Sequence, residues 1–356
     1  MPDQSVDLRG LGGDVLQDET ATSTAPWLFP KCTARQRSLM QRPDSEEVRA
    51  DDEIEFWRQA VVRRLDALMA PVGHAGDAVC LAMQAGVVQG GKRVRALMLI
   101  GVCRGLGLDP LPLLDLACSL EMIHAASLSI DDLPCMDDAD ERRGQPALHL
   151  RFGESTALLA SIGMLTHAFK TVAEIEDIPV HLRSRLVVLL ADAVGPNGLV
   201  RGQYRDLASG AGRADAAALK QVNELKTGML FRAAMLMPAV IAEAEPSTLE
   251  AIAQLATDVG HAFQLGDDLQ DGRSTTDGSL ADLDGHATLV TALGPQRARA
   301  KFERHLRHAH QSIAVLFPES RLLTALVQRI AAMSPAEPVA AGISAHRTDV
   351  QARVAS

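Results

Sequence analysis

From Asp52 onward, apolar positions recur at three- and four-residue steps. Ile54, Trp57, Val61, Leu65 and Leu68 form one stripe that ends at Pro71, the pattern of an amphipathic helix with one face turned to a core. Helical windows of the same kind follow near 76–89, 93–104, 111–132, 154–172, 180–194, 215–242, 247–271, 292–316 and 319–333. Strand-type alternation between turn signals is scarce, and there is no βαβ rhythm. The punctuation is Gly, Pro and Asp, at GLGLDPLP (105–112), VGPNG (194–198) and ASGAGRAD (208–215). No repeat of solenoid length is present. The pattern predicts one all-α domain over residues 51–335. A disordered extension is expected over 1–50, where Gly, Ser, Thr, Pro and charge mix without periodicity, and a frayed tail over 336–356.

Composition narrows the chemistry. With 356 residues, 47% of them hydrophobic, the chain can bury a sizeable core. A net charge of -10 makes it a poor neutraliser of phosphate backbones, and 3% aromatics with a single tyrosine, Tyr204, leave few stacking platforms. Nucleic acid is not an expected partner. Five cysteines, odd in number and never in a CxxC pair, argue against a disulfide framework or a structural zinc and for a reducing compartment. No apolar run reaches the ~20 residues of a membrane span. The first twenty residues hold five acids, one arginine and no apolar core, unlike a signal or transit peptide. A cytoplasmic protein without a membrane span is expected.

Two acidic clusters close strongly apolar helices. The first is Ile130-Asp131-Asp132-Leu133-Pro134-Cys135-Met136-Asp137-Asp138-Ala139-Asp140, followed by Arg142-Arg143-Gly144; the second is Phe263-Gln264-Leu265-Gly266-Asp267-Asp268-Leu269-Gln270-Asp271. Carboxylates at helix C-termini meet the negative end of the dipole, so a bound divalent cation is the expected counter-charge. Asp267 and Asp271, four apart, share a helix face. Asp131 and Asp137 do not, but Pro134 breaks the helix between them and lets Asp137 return beside Asp131. Carboxylates with open positions suit Mg²⁺, which completes its shell with water and substrate phosphate oxygens.

The cations agree with a phosphorylated substrate. Only six of the 35 basic residues are lysine, so Lys92 in Gly90-Gly91-Lys92-Arg93-Val94-Arg95 and Lys226 in Lys226-Thr227-Gly228 stand out. Arginine offers bidentate contacts to a diphosphate and lysine a point charge. Gly86–Lys92 matches the spacing of a P-loop, but Arg93 replaces the hydroxyl residue and the preceding segment is helical, which excludes that reading. Glu121 and His124 form a single ExxH where a di-iron bundle needs two. His124 lies two turns before Asp131 and is expected on its face. His305, His308 and His310 are expected on an exposed helix face.

Together these segments resemble the trans-isoprenyl diphosphate synthases, or polyprenyl synthetases, and among them the bacterial geranylgeranyl type. The likeness runs from about 55 to 315 through GGKRVR, EMIHAASLSIDDLPCMDDADERRG, HLRFGESTALLAS, GLVRGQYRDL, LKTG and FQLGDDLQD. It implies an isoprenoid-synthase-type barrel of antiparallel helices around a central cavity, and a homodimer. It implies that Asp131, Asp132 and Asp137 hold Mg²⁺ against an allylic diphosphate from one side, and Asp267, Asp268 and Asp271 from the other. Arg142, Lys226 and Thr227 would meet the same diphosphate. Lys92, Arg95, His124 and Arg143 would take isopentenyl diphosphate, while Gln203, Phe263 and Gln264 line the cavity. Ala126 and Ser127, small residues about 7.5 Å back from Asp131 along the helix, would leave room for a C20 product. Relatives carry lysines where this chain has Gly278 and His286, two cations fewer on the allylic side. That departure keeps a regulatory subunit of a heteromeric prenyltransferase in view beside an active synthase. A farnesyl-producing enzyme is a further alternative, and a terpene cyclase is disfavoured by the second basic set.

Overall fold

In the computed structural model the described residues are 49–70, 76–88, 90–209, 215–271 and 288–334, without the side chains of Ser209 and Asp271. The expectations for residues 1–48 and 336–356, and for Gly278 and His286, lie outside them.

The described residues fold as packed helices. They are α1 (Ala50–Met69), α2 (Ala78–Val88), α3 (Val94–Gly105), α4 (Leu114–Asp131), α5 (Leu148–Phe152), α6 (Glu154–Ala173), α7 (Val180–Val194), α8 (Leu199–Ser209), α9 (Ala216–Asn223), α10 (Met229–Ile241), α11 (Pro246–Asp271), α12 (Leu289–Leu293), α13 (Pro295–Leu316) and α14 (Arg321–Ala331). A π-helical turn, Glu224–Gly228, joins α9 to α10 without a loop. The window 215–242 is therefore not one α-helix. Two further elements escape hydrophobic periodicity. These are α8, whose face is largely polar, and a two-residue hairpin pairing Glu141 with Pro146 and Arg142 with Gln145.

The core forms around α3 and α4. Every residue of α3 from Arg95 to Cys103 is buried, and α4 is buried on most of its circumference. Helices apolar all round are those that others surround: α6 lies along α4, while α3, α7 and α11 enclose α10, and α13 covers α11. Arg64 ties α1 to α4 through a two-pronged pair with Asp115, Nε–Oδ1 2.5 Å and Nη2–Oδ2 2.8 Å. Burying this much apolar side chain at about 1.5–3 kcal/mol per large residue dominates the stability.

α6 is long and apolar enough by composition to cross a membrane, with a mean hydropathy of 1.2 over its most apolar 18 residues, 44% of that window being buried. Alanine, glycine and threonine dilute its apolar run in the sequence, but the helix gathers Leu158, Leu159 and Ile162 on one exposed face.

Candidate active site

The first aspartate segment folds back as its proline requires. α4 ends at Asp131, Leu133 N–H donates to the Ile130 carbonyl, and Asp137 N–H then donates to the Asp131 carbonyl at 2.8 Å. Asp138, with φ +50°, and Ala139 add bonds to the carbonyls of Leu133 and Asp132. Asp137 thus returns beside Asp131. Asp131 is only 6% exposed, and burial pushes its carboxyl up to about 6, with Lys226 opposing and Asp137 adding to the rise. Such a carboxylate is poorly satisfied by protein alone.

The hairpin supplies the cations of the first segment. Arg143 and Gly144 take positive φ of 56° and 76°, as a two-residue turn between paired strands demands. This splits the two arginines. Arg142 Nε donates to Asp132 Oδ1 at 2.9 Å, while Arg143 Nη1 donates to the Gly90 carbonyl at 3.1 Å. For Arg142, burial is outweighed by Asp132 and its neighbours, which raise its affinity for the proton.

A second basic group assembles from three distant segments. Gly91, at φ +108°, takes a backbone conformation that side chains rarely adopt, and the Arg143 guanidinium lies against it. Arg93 is buried in the left-handed region, donating to the Val87 carbonyl at 2.6 Å and to Glu121 at 3.2 Å. Glu121 in turn accepts from Ala96 N–H at 3.3 Å. This buried pair fixes the start of α3 and leaves Lys92 exposed beside the glycines. Arg95 stacks over Phe231 at 4.8 Å and Phe263 at 5.8 Å, and its Nη1 donates to His124 Nε2 at 3.4 Å. Burial first, then Arg95 and Arg143, holds the His124 imidazole well below its usual range. It is therefore a neutral acceptor at pH 7. Burial likewise brings Arg95 down to about 10, with Arg143 acting the same way and Glu121 and Asp267 opposing.

The π turn joins both aspartate segments. Lys226 Nζ donates to Asp206 Oδ2 at 2.9 Å and stands 3.9 Å from Asp131 Oδ2. Thr227 Oγ1 donates to Gln264 Oε1 at 2.7 Å, and Gln264 Nε2 donates to Asp268 Oδ1 at 2.8 Å. Close backbone approaches lock the turn in place. A Cβ on Gly202 would lie 2.6 Å from the Lys226 nitrogen, and one on Gly260 would lie 3.3 Å from Gly228 Cα. Asp267 and Asp268 leave the same stretch of α11. The side-chain amide of Gln203 is buried without a hydrogen-bond partner on either its oxygen or its nitrogen, as a group awaiting a ligand would be.

Ala126 is fully buried on α4, and Ser127 donates its hydroxyl to the His124 carbonyl at 3.0 Å. The histidine group on α13 differs from expectation: His305 hydrogen-bonds Asp258 through Nδ1 at 2.7 Å, whereas His308 is half exposed. An aspartate hidden on α11 had drawn it inward.

Sequence reasoning passed over Asp206, Arg93, Glu121 and Phe231 as site residues. Two of them carried a signal. Glu121 is an acid in the middle of an apolar helix, and Asp206 is the lone acid of α8, three residues after Gln203. The oxygen-only donor set of the aspartates fits a hard divalent cation. Among the described residues no three metal-ligating side chains cluster, since Asp132 turns to Arg142 and the Asp271 side chain is not described.

Known proteins resemble this chain in sequence and fold. The polyprenyl synthetase model matches residues 77–312. A geranylgeranyl diphosphate synthase of Pseudescherichia vulneris is 43% identical over 270 residues, 75% of this chain and 87% of that protein. A farnesyl diphosphate synthase of Geobacillus stearothermophilus is 38% identical over 249 residues, 66% of this chain and 84% of that protein. Among solved structures, a FPP/GFPP synthase from Zymomonas mobilis superposes with a TM-score of 0.72 at 29% identity, covering 79% of this chain and 98% of that one. With its two aspartate segments joined through one π turn and a separate basic group nearby, the chain belongs to the polyprenyl synthetase family.

Proposed function

We propose that this prenyltransferase condenses isopentenyl diphosphate with an allylic diphosphate, farnesyl or shorter, to give all-trans geranylgeranyl diphosphate. The observation that carries the reading is the presence of two distinct cationic positions. Lys226 and Arg142 stand against the aspartates, while Arg143 lies on the glycine pair beside Lys92 and Arg95 stands against His124. A reaction joining two diphosphates needs both.

The allylic diphosphate lies against Lys226, Arg142 and Thr227, which hold its leaving group. Asp131, Asp132 and Asp137 on one side, and Asp267, Asp268 and Asp271 on the other, would hold Mg²⁺. When bound, Mg²⁺ supplies positive charge for the departing diphosphate. Lys92, Arg95, His124 and Arg143 orient isopentenyl diphosphate so that its double bond faces the allylic carbon. The allylic C–O bond breaks, the double-bond electrons form the new C–C bond, and one proton leaves to the released diphosphate. No protein nucleophile is consumed. Phe263, Gln203 and Gln264 line the enclosure that excludes water from the cation.

We also propose a homodimer working in the cytoplasm. The apolar surface formed by Leu150, Leu158, Leu159 and Ile162 is the kind that a second copy covers.

Purified protein with Mg²⁺, isopentenyl diphosphate and either geranyl or farnesyl diphosphate tests the reading, with product length read by mass spectrometry. A C20 product is expected, and Ala126→Phe should shift it toward C15. A wild-type stop at C15 would replace the geranylgeranyl assignment with a farnesyl one. Absence of turnover would favour the regulatory subunit.

A further inference from the structure

Asp258, His261, Gln264 and Asp268 recur at steps of three, three and four, so they form one face of α11. Its lower half, Gln264 and Asp268, belongs to the site. The upper half carries a chain of titratable groups to which the mechanism above gives no task. His261 is 6% exposed, and its Nε2 lies 3.2 Å from Oε1 of Glu224, the first residue of the π turn. On its other side the imidazole packs on His305 with ring centroids 5.0 Å apart. His305 is held in turn by Asp258, whose second oxygen accepts from Gln254 Nε2 at 3.2 Å. Next to His261, the Gly260–Gly228 approach puts α11 and the π turn in backbone contact. A π turn is rare and persists only where its surroundings fix it. Glu224, two residues before Lys226 and three before Thr227, is the point at which α11 grips its start.

We propose that His261 is a positioning residue for the allylic-diphosphate side of the site. By holding Glu224, it fixes the direction in which the π turn presents Lys226 and Thr227. The assignment rests on the function proposed above.

Titratable groups face the ring from several elements. Glu224 comes from the π turn, Lys220 from α9 at 3.4 Å from Glu224, His305 from α13, and Asp258 from α11 behind His305, with His308 3.7 Å from Asp258. α12 carries no charge. Arg329 of α14 is turned to Asp51, and Arg232 of α10 lines an outer groove beside Gln254 and Thr257. Burial, then His305, pushes the His261 imidazole below its usual range. It donates to Glu224 as a neutral ring at pH 7.

The test compares wild type, His261→Leu and His261→Gln as full chains, assayed with farnesyl and isopentenyl diphosphates at one pH above the range in which the Asp131 carboxyl titrates. His261→Leu should raise the allylic KM about tenfold, the loss of one charge-assisted hydrogen bond, and leave the isopentenyl KM within about twofold. His261→Gln, which keeps a donor near the Nε2 position, should restore affinity. Glu224→Gln, half exposed, weakens the same bond without a core cavity and should follow His261→Leu. Equal changes in both KM values, an unchanged allylic KM or a failure of His261→Gln to restore it would overturn the assignment. A wild type without turnover would sink the proposed function instead. The positioning role would then be judged by calorimetry, from the ratio of farnesyl diphosphate affinities of wild type and His261→Leu with Mg²⁺.

Discussion

At the end of α4 the chain leaves the helix after Asp131 and folds Asp137 back through main-chain hydrogen bonds, whereas α11 runs unbroken past Asp267 and Asp268 to Asp271. The first segment is a loop whose shape is local: Pro134 ends the helix, and the carbonyls of Asp131, Asp132 and Leu133 close the bulge. The second is a helix face, and its Asp268 carboxylate is oriented from the π turn through Thr227 and Gln264. One is set by its own backbone and the other by tertiary contact. Carboxylates can therefore be brought to one site by two mechanical routes with different sensitivities. Changes in the loop should act on chemistry directly, and changes around the helix face should act through the π turn.

Asp131→Asn is the strongest way to test that contrast. It should lower kcat by about 10³-fold, equivalent to ~4 kcal/mol of transition-state stabilisation, in steady-state assays. The same change should stabilise the metal-free protein. The folded Asp131 carboxyl sits at about 6 against an ordinary 3.8, so its contribution is intact below about pH 4 and is lost as pH rises through 6. Removing the charge should recover about 3 kcal/mol at pH 7, read by chemical denaturation, and should abolish the rise in Tm that Mg²⁺ gives wild type. A loss of stability would show that Asp131 is a structural ion-pair partner.

Lys226→Met removes the cation that links Asp131 to the π turn. A drop of about 10²-fold in kcat/KM for the allylic diphosphate, ~2.7 kcal/mol, is expected, with isopentenyl KM unchanged. If both substrates suffer alike, the two cationic positions are not separate. Thr227→Val tests the second segment more gently. Losing the hydroxyl that orients Gln264 should cost about tenfold in the same parameter, ~1.4 kcal/mol. A cost as large as that of Asp131→Asn would erase the distinction between directly acting and relayed residues.

The helices, the two acid clusters and the proline-induced return of Asp137 were legible because each depends on near neighbours in the chain. Three- and four-residue periodicity reports a helix face, and Pro134 forbids its continuation whatever surrounds it. The site's partners were less legible. Asp206 against Lys226, the Arg93–Glu121 pair and the aromatic floor under Arg95 join residues 20, 28 and more than 130 positions apart. Within the helical window 215–242 the sequence marks an interruption at Lys226-Thr227-Gly228 but not its π winding, and His305 reads as exposed because Asp258 lies on another helix. Sequence by itself determined which elements form and which groups are chemically competent, through local sterics and hydrophobic periodicity. Only the tertiary structure decided which charges face each other, because burial and pairing depend on contacts between helices that no local pattern encodes.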